Sequence, residues 1–134
     1  MAHSENPFQL LYVSRLARDC TWEVVKEIVA TARLHNTAHD ITGALLFDGE
    51  RFCQLIEGSE ANVRALAHNI YKDVRHSSLR TLFTGPSAIG RTTQRWVSGY
   101  CEAHELETFD AESGPREVKA LDAFLAVLQG ADME

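Results

Sequence analysis

Gln54 interrupts an otherwise apolar stretch, Arg51 to Glu57 (RFCQLIE), sharing a face with Phe52 and Ile56 if the chain there is extended. A buried primary amide carries two donors and an acceptor oxygen, all of which need partners. Tyr12 lies in a second short apolar run, Phe8 to Ser14 (FQLLYVS), and its hydroxyl has the same need. Asn36 stands at the end of a helical pattern, and Asp73, Arg75 and His76 follow another. Two readings of these residues are open. In one, Tyr12 and Gln54 make a core hydrogen bond, Asn36 caps a helix, and the charged trio is a solvated loop. In the other, the helix ends and the strands between them enclose a flat polar heterocycle.

The elements that would position these groups follow from the pattern. Phe8 to Ser14 reads as a strand, with Leu10, Tyr12 and Ser14 on one face. Asp19 or Thr21 supplies an N-cap, and Val25, Ile28, Val29 and Ala32 repeat at helical spacing, which predicts a helix from Trp22 to about His35. Ile41 to Phe47 and Arg51 to Glu57 form a hairpin around Asp48-Gly49. Ser59 or Asn62 caps a second helix with the stripe Val63, Leu66, Ala67 and Ile70, ending near Asp73. Leu79 to Phe83 and Trp96 to Cys101 are further strands, with Gly85-Pro86 as a breaker. After an acidic stretch, Gly114-Pro115 opens a final helix with Leu121, Phe124, Leu125 and Leu128 on one side. The order β-α-β-β-α-β-β plus a helix predicts an α+β, ferredoxin-like fold. Both first helices would cover one face of a mostly antiparallel sheet. The last helix or a second chain would cover the other.

Composition narrows the function classes. A chain of 134 residues with 45% hydrophobic residues favours one domain with its own core. A formal net charge of -6 argues against binding nucleic acid or anionic membranes. No apolar run is long enough to span a bilayer, and the polar N-terminus lacks a signal region, so a cytoplasmic protein is expected. Cys20, Cys53 and Cys101 are odd in number and widely spaced, which fits neither a disulfide framework nor a metal site.

The chain resembles the blue-light-using-flavin (BLUF) domains. The resemblance is carried by LLYVS with Tyr12, by HNTAHDITGALLFDGERFCQLIEG from His35 to Gly58, by IYKDVRHSSL from Ile70 to Leu79, and by Trp96. It implies residues 1–7 as a flexible N-terminus, 8–103 as the flavin-binding domain, and 104–134 as an acidic linker and helix packing on the sheet or a partner chain. It implies noncovalent FAD (or another flavin) between the two helices, with Asn36 on the pyrimidine edge and Gln54 at N5 or O4. Tyr12 would bond Gln54, Arg75 and His76 would contact the other edge, and Asp73 would hold Arg75. Ile41 and His35 would complete the flavin-binding set. The implied mechanism is light-driven electron and proton transfer from Tyr12 through Gln54, whose rearranged amide leaves a red-shifted state. Trp96 and Ser98 would carry the signal to an unidentified downstream effector protein. A homodimer or larger assembly is expected.

The last strand departs from the family pattern. Many members carry Trp-x-Met there, whereas this chain has Trp96-Val97-Ser98. Thr93 stands where an aromatic is usual, and Ala32 where a serine is frequent. Other functions compete with a non-enzymatic sensor. An acylphosphatase-like hydrolase using Arg75 and Asn36 would need a glycine-rich anion loop, and Ser14 to Thr21 contains no glycine. A colourless ferredoxin-like binding module is the third possibility.

Overall fold

In the computed structural model, residues 6–134 are described. Strand β1 (Phe8–Leu16) leads to helix α1 (Trp22–Ala38), hairpin β2 (Thr42–Phe47) and β3 (Arg51–Gly58), helix α2 (Glu60–Lys72), and strands β4 (His76–Pro86) and β5 (Trp96–Tyr100). A short helix α3 (Glu107–Asp110), helix α4 (Val118–Gly130) and a two-residue strand β6 (Asp132–Met133) follow. The sheet order is β4-β1-β3-β2-β5-β6. The first four strands pair antiparallel, as the ferredoxin-like unit requires, whereas β5 lies parallel to β2.

Strand parity divides the sheet into two faces. On one face, Val25 and Val29 of α1 pack on Leu45, Phe47, Phe52 and Trp96. On the same face, Val63 and Ala67 of α2 pack on Leu10, Ile41 and Ile56. The opposite parity supplies Leu11, Val13, Ala44, Leu46, Cys53 and Leu55, which α4 covers with Ala120, Leu121 and Phe124. The last helix therefore packs on its own sheet. Leu106 and Phe109, within the acidic stretch, join that core.

Several local expectations are corrected. Helix α1 runs past His35 to Ala38, because the reversal comes at Asp40, whose φ of 54° lies in the left-handed region. Asn36 is thus a buried residue of the last turn and not a terminal cap. Thr21 is the N-cap of α1 by position, but its side chain makes no cap bond. The Ser59 hydroxyl does cap α2, accepting from Asn62 N. Strand β4 begins at His76, three residues before Leu79, because its polar start pairs with Arg15 and Leu16. Within the segment 1–7 expected to be flexible, residues 1–5 lie outside the described residues. Pro7 is buried, and its carbonyl accepts from Ser87 N at 2.8 Å.

Two polar clusters tie the faces and loops together. Asp110 of α3 accepts from Arg15 Nε at 2.8 Å and from the buried Arg51 Nε at 2.9 Å. Burial raises the Asp110 carboxyl, but those two guanidinium bonds outweigh it and hold the group below the usual carboxylate range. Asp48 accepts from Arg51 N and, across the hairpin end, from Leu106 N. At the other end of β3, the fully buried Glu57 carboxylate accepts from Gln9, Thr42 and the Thr92 backbone and hydroxyl. It thereby holds the connection that leads into Trp96. Gly43 is obligatory there: its φ is +129°, and a Cβ would lie 1.9 Å from the Leu55 carbonyl oxygen.

Candidate functional site

Antiparallel register places Tyr12 directly opposite Gln54, and Gln54 directly opposite Leu45. All three are buried on the face that carries α1 and α2. Between the two helices this face opens into a cleft. Tyr12, His35, Asn36, Gln54, Asp73, Arg75 and His76 all line it. Its apolar walls come from Ile28, Leu45, Phe52, Leu66 and Ile70. Sequence reasoning missed those wall residues, since helical and strand apolar periodicity marks them only as core. Ile41 does not line the cleft; it is buried under α2 against Leu10 and Ile56. Trp96 and Ser98 lie on β5, outside the cleft lining.

A short chain of hydrogen bonds crosses the floor. Trp96 Nε1 donates to Gln54 Oε1 at 3.0 Å, and Gln54 Nε2 donates to the Tyr12 hydroxyl at 2.6 Å. An indole N–H can only donate, so its position beside Gln54 selects the amide orientation with the oxygen toward Trp96. Burial pushes the Tyr12 phenol well above its ordinary value, against the smaller lowering from the Gln54 bond. Tyr12 is therefore a neutral phenol across the physiological range. Ser98 does not bond Gln54: its hydroxyl accepts from Arg33 Nη2 at 2.9 Å.

The rim is equally ordered. His76 Nε2 donates to the Ile70 carbonyl at 2.7 Å, which in the neutral ring leaves Nδ1 to accept from the Ser14 hydroxyl at 2.8 Å. The imidazole meets the Tyr12 ring edge-on, with centroids 6.2 Å apart. Asp73 and Arg75 form a two-pronged pair at 2.6 and 2.9 Å, and the Arg75 bond holds the Asp73 carboxyl below its usual range. Asn36 Oδ1 lies 3.2 Å from His35 Nδ1, while Asn36 Nδ2 is buried without a hydrogen-bond partner among the described residues.

That orphaned donor tests whether the cleft suits a flavin. A buried N–H facing a cleft is satisfied by a carbonyl of a bound heterocycle, and the rest of its amide can serve an adjacent ring N–H. Apolar walls for a flat ring and polar groups at its edges complete the fit. Among the described residues no cluster suits a metal ion, and no helix is long and apolar enough to cross a membrane.

Comparison with known proteins agrees with this geometry. Residues 8–98 match the family profile described as BLUF, sensors of blue-light using FAD. The blue light- and temperature-regulated antirepressor BluF of Escherichia coli (strain K12) is 37% identical over 70 residues, 52% of this chain and 17% of that protein. The chain thus spans less than a fifth of that relative. The BlsA ground-state structure superposes with a TM-score of 0.75 at 27% identity, covering 96% of this chain and 91% of BlsA. Klebsiella pneumoniae BlrP1 with FMN and cyclic diGMP gives a TM-score of 0.64 at 27% identity, over 90% of this chain and 30% of that one. The chain belongs to the BLUF family of flavin-using blue-light sensors.

Proposed function

We propose that this protein is a non-enzymatic blue-light receptor in which Tyr12 and Gln54 form the light-responsive pair, with FAD held noncovalently by Asn36, Arg75 and His76. The observation that carries this reading is the Gln54 amide, held at one end by Tyr12 and at the other by Trp96, at the cleft floor. When bound, the flavin supplies blue absorption and, once excited, an oxidant able to take an electron from a phenol. Tyr12 provides that electron and a proton, which Gln54, 2.6 Å away, relays; both then return to Tyr12, so its hydroxyl is restored and no net redox change remains. A half-turn of the amide lets Gln54 Oε1 accept from the Tyr12 hydroxyl, and it brings Nε2 to face the indole N–H, donor against donor. Trp96 then loses its acceptor, which links the state of Gln54 to β5. Such a network has two discrete arrangements, as a signalling switch requires.

Output passes to a separate effector protein. Since α4 covers the chain's own sheet with Leu121 and Phe124, a homodimer or larger assembly would use other surfaces. FAD is the flavin proposed because the family is described by it, although a relative has been solved with FMN. The hydrolase alternative has no supporting feature in the cleft: Arg75 is engaged by Asp73 in a two-pronged pair.

The test is spectroscopic. Purified protein is yellow, releases FAD on denaturation, and undergoes a reversible red shift under blue light. Tyr12→Phe and Gln54→Leu each retain flavin and lose the red-shifted state. A normal photocycle in either variant rejects the assignment.

A further inference from the structure

Arg33 sits on α1 one turn before Asn36, half-buried, and belongs to none of the groups assigned above. Its guanidinium carbon stands 5.5 Å from the centroid of the Trp96 ring. Its Nη2 donates at 2.9 Å to the hydroxyl of Ser98, which is 2% exposed. Trp96 and Ser98 are two residues apart on β5 and share the face toward α1. Serine is small, so it leaves space beside the indole. The Arg33 side chain reaches into that neighbourhood from the helix. An arginine that served only solubility would point to water or a surface carboxylate. This one points at an aromatic ring and a buried hydroxyl.

We propose that Arg33 is a positioning residue that holds the Trp96 indole in the orientation from which Nε1 donates to Gln54. A cation within about 6 Å of an aromatic centroid is attracted by the ring quadrupole, and the pairing favours one tilt of the ring. The bond to Ser98 fixes the guanidinium, so helix α1 and strand β5 together determine where the indole lies. Arg33 thereby contributes to selecting the dark orientation of the Gln54 amide without touching it. The same clamp ties α1, which carries Asn36, to the strand through which Trp96 would respond. The proposal rests on Tyr12 and Gln54 being the light-responsive pair, which Tyr12→Phe tests separately.

The experiment follows the Trp96 indole N–H by proton–nitrogen NMR in the flavin-loaded protein in the dark, with the signal assigned by Trp22→Phe. Arg33→Met keeps side-chain length without charge, and Arg33→Lys restores the charge without the planar fork. In Arg33→Met, exchange of the Trp96 indole proton with solvent accelerates by about tenfold, the scale of losing one net hydrogen bond. Arg33→Lys falls between it and the parent. Ser98→Ala, which removes only the acceptor on Arg33, shifts exchange in the same direction by a smaller factor, and it serves if Arg33→Met does not fold. Recovery of the dark spectrum after illumination changes about threefold or more in Arg33→Met, on the same scale. Indole exchange equal to the parent in Arg33→Met and Ser98→Ala overturns the positioning role. If Tyr12→Phe still forms the red-shifted state, the underlying pair assignment fails, while the NMR result still stands or falls for Arg33 alone.

Discussion

The two faces of this sheet are built from the same strands and do different work. In β3, Cys53 and Leu55 point to the α4 face and are fully buried among apolar neighbours. Phe52, Gln54 and Ile56 alternate with them and point to the α1/α2 face, where a cleft interrupts the packing. The α4 side is continuous, from Leu11 and Val13 across Leu46 to Phe124. The cleft side is split into two smaller apolar groups, one under each helix, with the polar chain Trp96–Gln54–Tyr12 between them. One face is closed apolar packing, while the other holds the hydrogen-bonded Gln54 amide and the Asn36 amide beside a cleft. Substitutions should therefore sort by parity: stability on one side, flavin and light response on the other.

The largest expected effect lies on the α4 face. Phe124 is fully buried, and Phe124→Ala should cost about 3–5 kcal/mol from lost burial plus the cavity left behind. Thermal unfolding measures it, and a midpoint close to the parent would show that α4 is dispensable to the sheet. Next comes the buried pair that anchors α3. Asp110→Asn removes the carboxylate facing the buried Arg51 Nε and should cost about 3 kcal/mol near neutral pH. The Asp110 pKa is depressed in the folded state. Its contribution is therefore complete above the unfolded value of about 3.9 and is lost as pH falls through the folded value. The gap between parent and Asp110→Asn should accordingly narrow in acid below about pH 4, and a gap independent of pH would assign the loss to packing instead.

How far the sequence reveals this division depends on the strength of the local signal. Alternation in RFCQLIE assigns Gln54 and Leu55 to opposite faces, and Asp48-Gly49 fixes the hairpin, because both signals span only a few residues. Tyr12, Gln54, Asn36, Asp73, Arg75 and His76 are grouped by the family resemblance, their types and spacing alone leaving a core contact, a cap and a solvated loop open, and they line one cleft. Less local features are hidden. Leu106 and Phe109 are core residues embedded in an acidic run, so no periodicity announces α3. Strand β6 has two residues, too few for any pattern, yet the Met133 side chain lies where a Cβ on Gly99 would be. Arg33 looks like one more charged helix position, because its partners, Trp96 and Ser98, are more than sixty residues away in sequence. Glu57 reads as the charged end of a strand, and only the fold brings Gln9, Thr42 and Thr92 around it. Ile41 is expected in the flavin-binding set on motif grounds, but its position just before β2 points it beneath α2.

The smallest change in intrinsic stability is expected on the cleft face, at Asn36. Asn36 is 1% exposed, and its Nδ2 has no hydrogen-bond partner among the described residues. Leaving such a donor buried costs about 1–3 kcal/mol, so deleting it relieves a penalty that offsets the missing side-chain packing. Asn36→Ala should therefore melt within about 1 kcal/mol of the parent when both are free of flavin. With flavin present the order changes. Only the parent amide can bond the ring edge, so Asn36→Ala should bind flavin about tenfold more weakly, one hydrogen bond's worth. The parent should then gain more thermal stability on adding flavin than the variant does, by mass action alone. Titration by flavin fluorescence, paired with melting curves at several flavin concentrations, separates the two terms. If Asn36→Ala melts far below the parent without flavin, Asn36 belongs to the structural side of the comparison, and the division by parity breaks at the residue where the cleft most needs it.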